Sequence, residues 1–331
     1  MAKLGPIGWI LLRAGVSAAL LTVIVWRIPW TGIGEAFHGS EPAWILAAIL
    51  LAGAQVTFVS LRWQALLGAQ EIVLSLGETL RLTLIGHFFS AFLPGSTGGD
   101  LARIYYAVRA APRQKAAASF SVVCDRLVGV IILLLIGCAF SPVLYYGVYS
   151  RNFLIRKVLL LFLLVAVGIL LFSLLAWLLP WLLRRRSFRL WEKHAPLHRL
   201  LEELSHVLRR FAAARWTAGR AALFALCGHI ATFALAWCTA IALHLPVPFW
   251  ILAAVLAVVS VLDAIPISIS GLGVREGLLV LFFQPLSWTG AQAVTFSLLF
   301  FGVSLFWSFA GGILYWRYKA GRSAEERKIA R

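Results

Sequence analysis

Apolar residues in this chain come in long unbroken runs separated by short polar stretches. The runs at 7–28, 42–61, 116–142, 157–183, 220–245, 248–264 and 289–316 are each near the roughly 20 residues a helix needs to cross a hydrocarbon core. They predict about seven full spans. Two more apolar regions, 79–109 and 265–288, are broken by Pro and Gly into pieces too short to cross, and predict re-entrant or half-helix segments. The expected fold is therefore an all-α polytopic membrane protein, with 1–331 forming a single transmembrane domain. The first run follows Lys3, contains Arg13 and leads into Trp26-Arg27-Ile28-Pro29-Trp30. Its length and the absence of a small-residue cleavage site predict a retained span, not a signal peptide.

Composition excludes the soluble alternative. Of 331 residues, 61% are hydrophobic and 13% charged, and mean hydropathy is +0.90, against about 25% charged residues in soluble domains. An outer-membrane barrel would alternate polar and apolar positions in strands of about ten residues, which these runs do not. The net charge of +17 would invite a nucleic-acid reading in a soluble protein. Here the basic residues cluster between spans, as cytoplasmic loops require, and no nucleic-acid motif accompanies them; no nucleic-acid partner is expected. Cys124, Cys138, Cys227 and Cys238 lie in apolar stretches without CxxC spacing and read as small core residues.

Loop charges set the expected orientation. Ten Lys or Arg against three Glu lie between Leu183 and Ala221, and six more basic residues follow from Arg317, whereas 29–41 holds two Glu and no Lys or Arg. The segment 184–220, the tail 317–331 and the N-terminus are thus expected in the cytoplasm and 29–41 outside, in a bacterial-type inner membrane. Within 189–220, Leu190, Leu197, Leu200, Leu201, Leu204, Val207, Leu208 and Phe211 recur at spacings of three and four. That pattern predicts a basic amphipathic helix, either resting on anionic headgroups or serving as a connector that fixes orientation.

The two broken segments carry the chemistry. The first reads Phe92-Leu93-Pro94-Gly95-Ser96-Thr97-Gly98-Gly99-Asp100-Leu101-Ala102-Arg103, the second Ile265-Pro266-Ile267-Ser268-Ile269-Ser270-Gly271-Leu272-Gly273-Val274-Arg275-Glu276. Such sequence cannot continue a helix, and the opened backbone is tolerated at membrane depth only inside protein or beside a wet cavity. Aligned from Pro94 and Pro266, the segments agree at Ser96 and Ser268, Gly99 and Gly271, and Arg103 and Arg275. Interrupted apolar pieces at corresponding places in two halves point to a transporter binding site, and the expected opposite orientation of the two is what an inverted repeat gives.

Costly residues accompany these segments. Arg103, Arg126 and Arg275 are candidate phosphate-binding groups, because a guanidinium fork binds two oxygens at once. Ser96, Gly98, Gly99, Ser268, Gly271 and Gly273 would supply backbone and hydroxyl donors near the half-helix starts. Asp100, Asp125, Asp263 and Glu276 would hold the arginines in charge pairs or carry a coupling proton; the alternative is a set of permanent ion pairs locking helices together. His87, Gln55 and His229 read as interhelical hydrogen-bonding groups, with no second ligand at metal-binding spacing. Gly98-Gly99-Asp100 lacks the strand context and lysine of a P-loop. No cofactor or metal is expected.

On these residues the chain resembles the lysylphosphatidylglycerol synthase transmembrane-region family, also called YbhN-like or UPF0104. The resemblance rests on Arg62-Trp63, Phe88-Phe89, Phe92-Leu93-Pro94-Gly95-Ser96, Gly98-Gly99-Asp100 with Arg103, Asp125-Arg126, Pro266-Ile267-Ser268, and Gly271 through Gly277. It covers nearly the whole sequence. It implies an inner-membrane protein related to the lipid-translocating half of enzymes that make and export aminoacylated phosphatidylglycerol. Ser90 stands where the family often has Asn, and no domain for aminoacyl transfer is expected. The function so implied is a lipid flippase or transporter, with membrane lipids as partners and lipid-synthesis enzymes as further candidate partners. A membrane-embedded transferase on a lipid-linked substrate and a non-transporting scaffold of a lipid-synthesis complex are the alternatives.

Overall fold

A computed structural model describes residues 39–92, 98–185, 215–263 and 273–329. The expected first span at 7–28, most of the amphipathic segment 184–220, and Ser96, Ser268 and Gly271 lie outside the described residues, as does the side chain of Asp263. Among the described residues the fold is helical without strands. In chain order the helices are α1 (Pro42–Gly68), α2 (Leu76–Phe92), α3 (Gly98–Ala110), α4 (Lys115–Val143), α5 (Phe153–Arg185), α6 (Arg215–Ala242), α7 (Phe249–Asp263), α8 (Val274–Phe283) and α9 (Gly290–Ile329). Five of them, α1, α4, α5, α6 and α9, are long and apolar enough to cross a membrane.

Local chemistry sets several boundaries. Pro42 opens α1, where its missing N–H costs nothing. At the start of α2 the Glu78 N–H donates to Ser75 Oγ (3.2 Å) while the Glu78 carboxylate accepts from the Ser75 N–H (2.9 Å), a reciprocal cap. Thr289 and Gln292 cap α9 in the same way. Pro142 cannot donate to the Cys138 carbonyl, and the Ser141 hydroxyl donates to that carbonyl instead (3.2 Å). α4 then continues as a π-helical turn, Leu144–Val148.

Helices α2 and α3 form one hairpin and α7 and α8 another, and the two are fastened at opposite ends of the bundle. At one end the Glu41 N–H donates to the Ala242 carbonyl (2.9 Å), joining the start of α1 to the end of α6. At the other, Trp63 and Leu67 of α1 share an apolar cluster with Leu82 and Ile85 of α2, Tyr106 and Ala107 of α3, and Ala118 and Val122 of α4. The α2–α3 hairpin thus starts and finishes at the Gly68 end of α1. The Trp288 indole donates to the Pro246 carbonyl (3.2 Å) and stacks on Phe283 (4.3 Å), and the Tyr149 hydroxyl donates to the Phe282 carbonyl (2.7 Å). The start of α7 and the end of α8 therefore meet at the Glu41 end.

Two expectations change. The span expected at 248–264 is the 15-residue α7, which pairs with α8 instead of standing as an independent crossing. It is buried nearly all round, with Ala253 through Val259 at most 4% exposed, and helices α4, α5, α6 and α8 pack against it. By contrast α5 leaves Leu160, Leu161, Leu164, Leu171 and Phe172 exposed, a face suited to lipid. The span expected to end at residue 61 instead runs on to Gly68, which draws Arg62 and Trp63 into the helix.

Candidate functional site

Close helix approach places the first charged group. A Cβ on Gly99 would collide with the Gly86 carbonyl and Ser90 Oγ, and one on Gly86 would lie 2.9 Å from Arg103 Cγ. The α2 and α3 backbones thus touch, as small residues permit, and the Arg103 stem is pressed toward α1 and α4. There the Asp125 carboxylate accepts from two arginines. Arg62 donates from Nε to Oδ1 (2.6 Å) and from Nη2 to Oδ2 (3.1 Å), and Arg103 donates from Nη1 to Oδ2 (2.9 Å). The guanidinium carbon of Arg103 lies 4.2 Å from the centre of the Trp63 ring, and the Trp63 indole N–H donates to Ser121 Oγ (3.1 Å).

Asp125 is 1% exposed, Arg103 7% and Arg62 8%. Two guanidinium groups on one carboxylate leave a surplus positive charge in a region nearly free of solvent, an expensive arrangement. Arg103 Nε and Nη2 have no hydrogen-bond partner among the described residues. His87 on α2 lies within electrostatic reach of both Arg103 and Asp125. His229 of α6 bonds the Gly129 carbonyl (2.9 Å), beside the Arg62 guanidinium, which a Cβ on Gly129 would meet at 2.8 Å.

A second pair joins the same two helices. Asp100, in the first turn of α3 behind Gly98 and Gly99, pairs with Arg126 of α4. This pair is partly exposed, at 23% and 39% of the respective side chains. The neighbours Asp125 and Arg126 therefore serve different partners.

The third group belongs to the other hairpin. Gly273 has φ 90°, a conformation that favours glycine, and its N–H donates to Glu276 Oε2 (2.7 Å). Glu276 Oε1 accepts from Arg275 Nη2 (2.8 Å) and from the Ser297 hydroxyl (2.7 Å), and Ser297 Oγ accepts from Arg275 Nε (2.9 Å). Arg275 also lies 5.4 Å from the Phe301 ring centre. Glu276 is 2% exposed, but this group is neutral and both carboxylate oxygens are bonded. The three candidate arginines thus divide among three ion pairs, with Arg103 on Asp125, Arg126 on Asp100 and Arg275 on Glu276.

Sequence reasoning did not select Arg62 or Ser297 as site residues. The expected span stops at residue 61, just short of Arg62, although Trp63, Leu66 and Leu67 continue the apolar spacing beyond it. Ser297 carries no signal in a sequence where many hydroxyls back-bond to their own helix, as Thr295 does to Ala291.

These features define a polytopic all-α membrane protein with buried ion groups on two opposed hairpins. The chain belongs to the family described as the lysylphosphatidylglycerol synthase TM region, which matches residues 10–312. That membership associates it with lipid metabolism or transport. No curated protein matches the chain.

Proposed function

We propose that the protein moves a phospholipid or other polar lipid, chemically unchanged, across or out of a bacterial-type inner membrane. The observation that carries this reading is the pair of hairpins entering from opposite ends of the bundle, each with ionisable residues buried among apolar helices. A headgroup crossing hydrocarbon must exchange water for fixed polar groups, and interrupted helices in opposed repeats supply them in transporters. Arg62 and Arg103 engage the headgroup from the first hairpin. Asp100–Arg126 and Arg275–Glu276 exchange partners as the lipid passes, and lipid-synthesis enzymes are candidate suppliers of it. In this reading the Gly68 end of α1 and both chain termini face the cytoplasm, from the Lys/Arg asymmetry of the loops.

Reconstitution into liposomes with headgroup-labelled phospholipids tests the proposal. Transbilayer movement without change in the lipid's mass supports it; a chemically altered lipid, or no movement above protein-free vesicles, overturns it.

A further inference from the structure

The three ion groups are unequal, and the inequality selects one of them as the place where a headgroup binds. Glu276 and Arg275 neutralise each other, and Ser297 and the Gly273 N–H take the remaining bonds. Asp100 and Arg126 pair with each other and are partly exposed. Only at Asp125, among the described residues, do two buried arginines meet a single carboxylate.

The geometry of Arg103 sharpens the point. Its Nη1 is committed to Asp125 and its face to Trp63. The atoms left without a partner among the described residues are Nε and Nη2. These two lie on the same edge of the guanidinium, the edge whose parallel N–H groups bind two oxygens of one phosphate. The side chain is 9% exposed, so those donors have little water to serve them and their desolvation is uncompensated. A ligand bearing one negative charge and two adjacent oxygens would satisfy both N–H groups and cancel the surplus charge. A cation would do neither.

An apolar cleft lies farther along α4. Ile132, Leu135 and Ile136 of α4 with Ala222, Leu223 and Leu226 of α6 line an open cleft of about 440 Å³, beginning one turn of α4 beyond Gly129, on which the Arg62 guanidinium lies. Charge beside hydrocarbon-lined space fits an amphiphile. We propose that Arg62, Asp125 and Arg103 form a one-anion site in which the Nε/Nη2 edge of Arg103 takes the phosphodiester of a phospholipid headgroup. This rests on the lipid-moving reading above and names the substrate group and the residue that grips it.

The test uses the full chain in detergent, with binding followed by thermal shift and native mass spectrometry. The probes are dioctanoylphosphatidylglycerol, dioctanoylglycerol and inorganic phosphate. Expected is one saturable phosphatidylglycerol per chain, no comparable binding of dioctanoylglycerol, and inorganic phosphate competing only at much higher concentration. Arg103→Lys keeps the charge on Asp125 but loses the two-donor edge, and should weaken phosphatidylglycerol binding at least about tenfold. Equal binding of dioctanoylglycerol, or unchanged affinity in Arg103→Lys, overturns the site; inorganic phosphate binding as tightly as the lipid overturns the lipid assignment. The wild-type comparison of the three probes decides even if the variant does not fold. Liposome flux measured on the same wild-type protein separates the two claims. Phosphate-dependent binding without flux removes the transport reading and keeps the site, whereas flux without phosphate-dependent binding does the reverse.

Discussion

Arg62 and Arg103 share one carboxylate, each within 3 Å of an Asp125 oxygen, and this shared acid ties the long helix α1 to the returning arm of the first hairpin through α4. Removing it strands two buried positive charges. Asp125→Asn should therefore destabilise the protein by about 3–5 kcal/mol, seen as lost yield or a large fall in Tm in detergent. Asp100→Asn removes the acid of a partly exposed pair and should cost at most about 1 kcal/mol. Comparable Tm values for the two variants would contradict the burial difference on which the argument rests.

The hairpin contacts make a steric prediction. A methyl group on Gly99 or Gly311 would run into the Gly86 or Leu84 carbonyl respectively, whereas one on Gly277 meets nothing within 4 Å. Gly99→Ala and Gly311→Ala should each cost about 1–3 kcal/mol, as overpacking generally does, and Gly277→Ala should be neutral. Thermal denaturation of the three purified variants checks the order.

How much of this was legible in the sequence depends on what each residue's cost could reveal. Asp125 and Arg103 announced themselves because charge in an apolar run is expensive wherever the helix lies. Their partners did not. The adjacent letters Asp125-Arg126 suggest a mutual pair, yet Asp125 takes Arg62 and Arg103 while Arg126 takes Asp100. Arg62 was hidden for another reason: at the edge of an apolar run an Arg-Trp pair looks like an interfacial anchor. The helical character of 249–263 was plain, but an all-apolar helix looks the same facing lipid or enclosed by protein. Its pairing with α8 comes from tertiary contacts such as Trp288 on Pro246.

Orientation can be read directly. With Cys124, Cys138, Cys227 and Cys238 replaced, a single cysteine at Val73, 90% exposed near the Gly68 end of α1, and another at Tyr146, 76% exposed near the opposite end, should label from opposite sides. In intact cells an impermeant thiol reagent should reach Tyr146→Cys and not Val73→Cys. The reverse pattern would invert the assignment made from loop charge.

The second hairpin offers a way to tell a working ion pair from a lock. Arg275 and Glu276 form a neutral unit in which both carboxylate oxygens are bonded, and replacing such a pair by apolar residues of similar size is often neutral for stability or favourable. The double variant Arg275→Met/Glu276→Leu should therefore remain folded, with a Tm near that of the unaltered protein. Glu276→Leu alone leaves the Arg275 charge without its acid and should cost about 3–5 kcal/mol. If the pair exchanges partners during transport, the folded double variant should nonetheless lose lipid flux in liposomes. Retained flux in that variant would make the pair a fastener for α8 on α9, with the work of transport left to the first hairpin.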